Sequence, residues 1–116
     1  MNDHQAVQDH IRKIVANNDV VLFMKGTMQF PQCGFSAQVS QIMQLVGVQP
    51  SEVNVLEDMS VRDGIKEFSN WPTIPQLYIK GEFVGGCDII REMYEQGELQ
   101  DMLDQKAVVR TKSAMV

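Results

Sequence analysis

Five consecutive apolar residues, Val20-Val21-Leu22-Phe23-Met24, constrain this chain more than any other feature. A run this short without alternation, bounded by breakers, fits a buried strand. Gly26 and Pro31 then break a loop over 26–32, and a single cysteine, Cys33, follows. Beyond it Val39, Ile42, Met43 and Val46 recur at helical spacing until Gly47 closes the segment. Residues 52–56 alternate Val53 and Val55, which predicts a second strand. A strand–helix–strand unit requires parallel strands joined by a right-handed crossover.

The remaining pattern is compatible with that unit. Val7, Ile11, Ile14 and Val15 mark a helix over 3–17, stopped by Asn17-Asn18-Asp19. Ser60-x-x-Asp63 resembles a capping box opening a third helix with Val61, Ile65 and Phe68 on one face. Residues 76–79 and 82–84 predict a hairpin around Lys80-Gly81. Gly85-Gly86 leads into a fourth helix starting near Asp88 and ending at Gly97, and 99–103 adds a final helical turn or two. The expected fold is α/β, a four-stranded mixed sheet with helices on both faces. The 116 residues suit one domain over 1–105. Residues 106–116, with Lys106, Arg110 and Lys112, are expected as a flexible C-terminal tail.

Charge and composition exclude several functions. The net charge is −5 and no Lys/Arg cluster stands out, which argues against nucleic-acid binding. No stretch approaches the roughly 18 apolar residues of a membrane helix. The opening Met1-Asn2-Asp3-His4-Gln5 has neither a basic start nor an apolar signal region. The expected location is the cytoplasm, or an organelle matrix after removal of a presequence. Two cysteines are too few for a disulfide framework, and His4 and His10 form no zinc-type spacing with them.

Cys33 is the candidate reactive group. A cysteine at a helix N-terminus meets unpaired N–H groups and the positive end of the helix dipole, which favour its thiolate. Lys25, ending the first strand, can add a positive charge. The competing readings are a small buried hydrophobe for Cys33 and a solvated surface lysine for Lys25. Pro31 favours a loop, hence exposure of Cys33.

Four motifs then occur in order: Lys25, Cys33-Gly34-Phe35-Ser36, Trp71-Pro72-Thr73-Ile74-Pro75 and Gly85-Gly86-Cys87-Asp88. Together they resemble a monothiol glutaredoxin of the CGFS class in its single-domain form, over residues 5–105. The loop between Lys25 and Cys33 matches the longer loop of that class. The resemblance implies a thioredoxin fold with Cys33 as the catalytic thiol and Ser36 in place of a resolving cysteine. It implies a cis peptide before Pro75, so that the Ile74 backbone pairs with glutathione. It assigns Asp88 to the γ-glutamyl end of glutathione, with Cys87 either contributing mainly through its backbone there or standing as a second redox thiol. Arg62, with Lys25 helping, is assigned to the glycyl carboxylate; Lys66 is similar in place. Trp71 is expected to pack beside the proline loop.

Two functions follow from the resemblance. In one, Cys33 is a metal ligand for a [2Fe–2S] cluster. Such a cluster generally takes four ligands. Two chains and two glutathiones supply them, so the cluster bridges a homodimer. CGFS glutaredoxins carry such clusters to iron–sulfur acceptor proteins and commonly pair with BolA-like proteins. In the alternative, Cys33 attacks protein–glutathione mixed disulfides as a glutathione-dependent thiol–disulfide oxidoreductase.

Overall fold

The computed structural model describes residues 3–111. Val20–Met24 forms β1, wholly buried and interior to a four-stranded sheet of order β2-β1-β3-β4. The element order is α1 (Asp3–Asn17), β1, α2 (Gly34–Leu45), β2 (Ser51–Asn54), α3 (Met59–Ser69), β3 (Gln76–Ile79), β4 (Glu82–Gly85), α4 (Cys87–Glu95) and α5 (Glu98–Gln105). β1 pairs parallel with β2, Val21 opposite Ser51 and Met24 opposite Asn54. It pairs antiparallel with β3, which pairs antiparallel with β4. The thioredoxin-type sheet expected from the sequence is therefore present.

The side-chain alternation of the central strands builds two cores. Val20, Leu22, Met24, Leu77 and Ile79 pack with α2, α4 and α5. Val21, Phe23 and Tyr78 face the opposite side and pack with α1 and α3. A continuous apolar run is what a strand covered on both faces needs. Lys80 and Gly81 both take positive φ, 51° and 81°, as a two-residue hairpin turn requires.

Several boundaries differ from the sequence expectation. β2 spans Ser51–Asn54 rather than 52–56; Val55 is fully buried just beyond it, its N–H donating to the Met24 carbonyl at 2.9 Å. α3 is capped by Asp58, whose Oδ1 accepts from the N–H groups of Ser60 and Val61. Ser60-x-x-Asp63 is therefore not the cap; the shorter Asx motif two residues earlier takes the place. α4 starts at Cys87 with Gly86 as its cap, one residue before the expected start near Asp88, which lies inside the first turn.

The expected free tail does not begin at Lys106. Val108 is buried against the first core. The Arg110 guanidinium donates to both Asp104 carboxylate oxygens at 2.9 and 3.0 Å and to the Val46 carbonyl. The Thr111 N–H donates to the Gly47 carbonyl at 2.8 Å. Lys112 and the rest of the expected tail lie outside the described residues. Among those described, no helix is long and apolar enough to cross a membrane.

Candidate functional site

Cys33 caps the N-terminus of α2. The loop before it is pinned to the sheet and to α2. Asn54 Oδ1 accepts from the Gly26 N–H at 3.0 Å and Glu52 Oε1 from the Met28 N–H at 2.7 Å. The buried Ser40 hydroxyl donates to the Met28 carbonyl at 2.8 Å, and the Gln32 N–H donates to the Lys25 carbonyl at 2.9 Å. Gly26 adopts φ 90°, and a Cβ there would lie 2.5 Å from the Phe30 carbonyl oxygen. Glycine is thus required where the loop folds back on itself. The result is a half-exposed cysteine in a fixed place.

The sulfur's surroundings favour its thiolate. Partial burial opposes ionisation. Hydrogen bonds from the Ser36 hydroxyl and from the N–H groups of Ser36 and Phe35, together with the Lys25 charge, outweigh it and hold the thiol below its ordinary pKa. Ser36 is completely buried. Its Oγ accepts the Lys25 N–H at 3.0 Å and lies 3.4 Å from Cys33 Sγ. The hydroxyl accepts the proton of the neutral thiol and turns its own proton to the sulfur once the thiol ionises, which lowers the thiol pKa. Ser36 is therefore a donor to the thiolate as well as the place of a missing thiol, a role the sequence reading did not assign.

Cys87 has the opposite setting. It is buried, and its thiol donates to Gln38 Oε1 at 2.9 Å. Burial, then the negative charge of Asp88, push its pKa up against the smaller help of Arg91. Both cysteines are free thiols.

A groove of about 500 Å³, in the range of small-molecule sites, is lined not by Cys33 itself but by Lys25 and Phe35, two of the residues that act on its sulfur. Lys25, Phe35 and Lys66 line one end, the Trp71–Pro75 loop the middle, and Gly86 to Ile89 the other end. The Ile74–Pro75 peptide is cis, as the resemblance implied. Trp71 lines the groove and packs on Phe83, and its buried Nε1 has no hydrogen-bond partner among the described residues. A Cβ on Gly86 would stand 3.1 Å from that nitrogen, a tight contact that requires the indole to shift by a few tenths of an ångström. Gly86 makes no side-chain cap, which leaves the first N–H groups of α4 facing this end.

The structure thus brings together Lys25, Ile74, Cys87 and Asp88 around the groove next to Cys33. Arg62 is not among the lining residues; its guanidinium reaches Met59 Sδ at 3.8 Å. Lys66, one turn along the same face of α3, lines the groove instead. Asp88 is exposed and pairs loosely with Arg91 at 3.4 Å.

An interior β-sheet of this order, a helix-capping thiolate and a cis-proline loop along one groove define a thiol protein of the thioredoxin fold. The glutaredoxin family profile matches residues 20–84. The chain is 56% identical over 93 residues to the probable monothiol glutaredoxin 2 of Rickettsia typhi, covering 80% of this chain and 84% of that one. It is 50% identical over 102 residues to the mitochondrial monothiol glutaredoxin-5 of Saccharomyces cerevisiae, covering 85% of this chain and 68% of that one. The solution structure of reduced poplar apo GrxS14 superposes with a TM-score of 0.76 at 50% identity, over 89% of this chain and 94% of that one. The chain belongs to the glutaredoxin family, as a monothiol member of single-domain size.

Proposed function

We propose that this protein is a glutathione-dependent carrier of [2Fe–2S] clusters, with Cys33 as its one cluster ligand. The observation that carries this reading is the pairing of a stabilised Cys33 thiolate with a buried serine, Ser36, where a resolving thiol would stand. Cys33 then has no neighbouring sulfur in its own motif to close onto.

The groove suits glutathione by its chemistry. Lys25 and Lys66 match the glycyl carboxylate. The uncapped start of α4 matches the γ-glutamyl carboxylate, and Asp88 matches its ammonium. Ile74 makes no backbone hydrogen bond within the described residues, leaving an N–H and C=O for the ligand's extended backbone. Arg62 shares that helix face but turns to Met59, so Lys66 takes the carboxylate role that the resemblance gave Arg62.

Among the described residues no group of three or more His, Cys, Asp or Glu side chains is placed to hold a metal. A cluster of four ligands therefore draws on a second chain and two glutathiones, which bridges a homodimer. Half of those ligands are small molecules, so the cluster is labile and suited to transfer. The recipients are iron–sulfur acceptor proteins, and a BolA-like protein replaces one subunit in a mixed complex. We place this activity in a reducing, glutathione-containing compartment, the bacterial cytoplasm or an organelle matrix.

The test is anaerobic reconstitution with iron, sulfide and glutathione. The expected product is a coloured dimer by visible absorption and size-exclusion chromatography, lost without glutathione and in Cys33→Ser. The low-pKa thiolate also favours a second reading, glutathione-dependent reduction of mixed disulfides. A colourless monomer that turns over a glutathionylated peptide rapidly would establish that reading in place of the carrier.

A further inference from the structure

Gln76 is a polar side chain with no exposed surface, at the start of the fully buried strand β3. Burying an amide is unfavourable unless its hydrogen bonds are made. Here they are made to one particular segment. Nε2 donates to the carbonyls of Trp71 at 3.2 Å and Thr73 at 3.1 Å. Oε1 accepts from the Tyr78 hydroxyl at 3.2 Å. The orientation of the amide is unambiguous, because carbonyl oxygens only accept and require the nitrogen to face them. Tyr78 is itself fixed among Phe23, Phe68 and Phe83, and burial raises its pKa to about 12, so its proton stays on the hydroxyl.

The segment that Gln76 holds is the middle of the groove wall. Pro72 and Pro75 lack N–H groups, so the loop has few donors with which to close on itself. The two carbonyls tied by Gln76 flank Pro72 and Thr73, and the second belongs to the same peptide unit as the Ile74 N–H, which it orients. The Ile74 N–H and C=O have no hydrogen-bond partner among the described residues. We propose that Gln76 is a positioning residue for ligand binding: its amide, held by Tyr78, fixes the Trp71–Pro75 loop so that the Ile74 backbone meets a peptide-bearing thiol ligand. Gln76 touches neither the ligand nor Cys33. This rests on the glutathione reading of the groove.

The test is a thiol–disulfide equilibrium. The Cys33 thiolate attacks glutathione disulfide, forming the Cys33–glutathione disulfide and breaking the original S–S bond. The released glutathione thiolate takes a proton from water. The same equilibrium with cystamine leaves a cysteamine adduct that has no peptide to pair with Ile74. Both are read by intact-protein mass spectrometry in a Cys87→Ala background, alongside the pH profile of Cys33 alkylation.

Wild type is expected to favour the glutathione adduct over the cysteamine adduct. Gln76→Leu and Gln76→Glu are expected to lower that preference about tenfold, the scale of two misplaced hydrogen bonds. The alkylation profile should not move, because Ser36 and α2 set it. Tyr78→Phe keeps the ring and both Nε2 bonds, and should lower the preference about threefold; it decides the matter where the Gln76 variants do not fold. A folded Gln76 variant with the wild-type preference overturns the proposal. So does a variant that loses both adducts equally with a shifted alkylation profile, which marks a general structural role. Absence of any preference in wild type overturns the glutathione reading of the groove instead, a result distinct from either.

Discussion

Replacing Ser36 by alanine tests whether this serine stabilises the thiolate or only occupies the place of a thiol. The hydroxyl is one donor to Cys33 Sγ, at 3.4 Å, beside the N–H groups of Ser36 and Phe35. A hydrogen bond to a charged group is worth about 1.5–3 kcal/mol. The long contact and the diffuse charge of sulfur place this one at the low end, which corresponds to about a tenfold weaker ionisation constant for Cys33. A second consequence is independent of pH. The Lys25 N–H donates to Ser36 Oγ at 3.0 Å, and alanine leaves it unpaired, at a cost of about 1–3 kcal/mol in stability.

The two effects separate by pH. The folded-state pKa of Cys33 lies below that of the unfolded chain, so the ionisation contributes stability fully only above the unfolded value of about 8.5. That contribution is lost as pH falls through the folded value. The wild type should therefore exceed Ser36→Ala by more at about pH 9 than at acid pH, the margin narrowing toward the unpaired Lys25 N–H as Cys33 takes up its proton. The measurements are Cys33 alkylation rate against pH in a Cys87→Ala background, and urea unfolding at both pH values. An alkylation profile unchanged in Ser36→Ala would refute the hydrogen-bond account of the thiolate.

Three further outcomes follow from the same geometry. Gly26→Ala forces a side chain into a positive-φ position against the Phe30 carbonyl, and should lower unfolding stability in urea by about 2 kcal/mol or more. Lys66→Ala should weaken the Cys33–glutathione adduct more than Arg62→Ala, by about threefold against little change, because only Lys66 lines the groove; adduct titration by mass spectrometry reads both. Arg110→Ala should lower the melting temperature at neutral pH by undocking residues 106–111. The Arg110 bond holds the Asp104 carboxyl below its usual range, so the ion-pair part of the difference is present at neutral pH and fades as acid protonates Asp104. Melting temperature against pH checks the direction.

The sheet was legible because its cause is local. Val20–Met24 is apolar at every position, and only a strand covered on both faces accommodates that. The hairpin was equally plain in Lys80-Gly81. What the sequence did not show depends on contacts between distant residues. Glu52 and Asn54 look like ordinary edge-strand polar residues, yet their side chains hold the loop that presents Cys33, 24 and 28 positions away. Arg62 and Lys66 share a helix face, so spacing alone cannot say which one enters the groove; the rotamer decides, and Arg62 turns to Met59. Asp58 rather than Ser60 is the cap because it stands just outside the helix, where its carboxylate accepts the Ser60 and Val61 N–H groups, while Ser60 already lies in the first turn. Arg110 seemed a tail residue because nothing nearby in sequence reveals the Val46 carbonyl, 64 positions earlier, that it reaches.

The two cysteines show why a helix N-terminus alone does not make a reactive thiol. Both stand at the start of a helix, Cys33 as the cap of α2 and Cys87 as the first residue of α4. The direction of hydrogen bonding separates them. Cys33 Sγ is surrounded by donors, each of which is stronger toward a thiolate than toward a thiol. Cys87 Sγ instead gives its proton to a carbonyl oxygen, on Gln38, beside the negative Asp88. Ionising Cys87 would surrender that bond and add a second negative charge near the first. One chain therefore offers one available thiolate, and Ser36 secures this by strengthening Cys33 while supplying no sulfur to trap it. Any chemistry that needs a second thiolate must take it from outside the chain, which is why glutathione and a partner subunit enter the proposed function together.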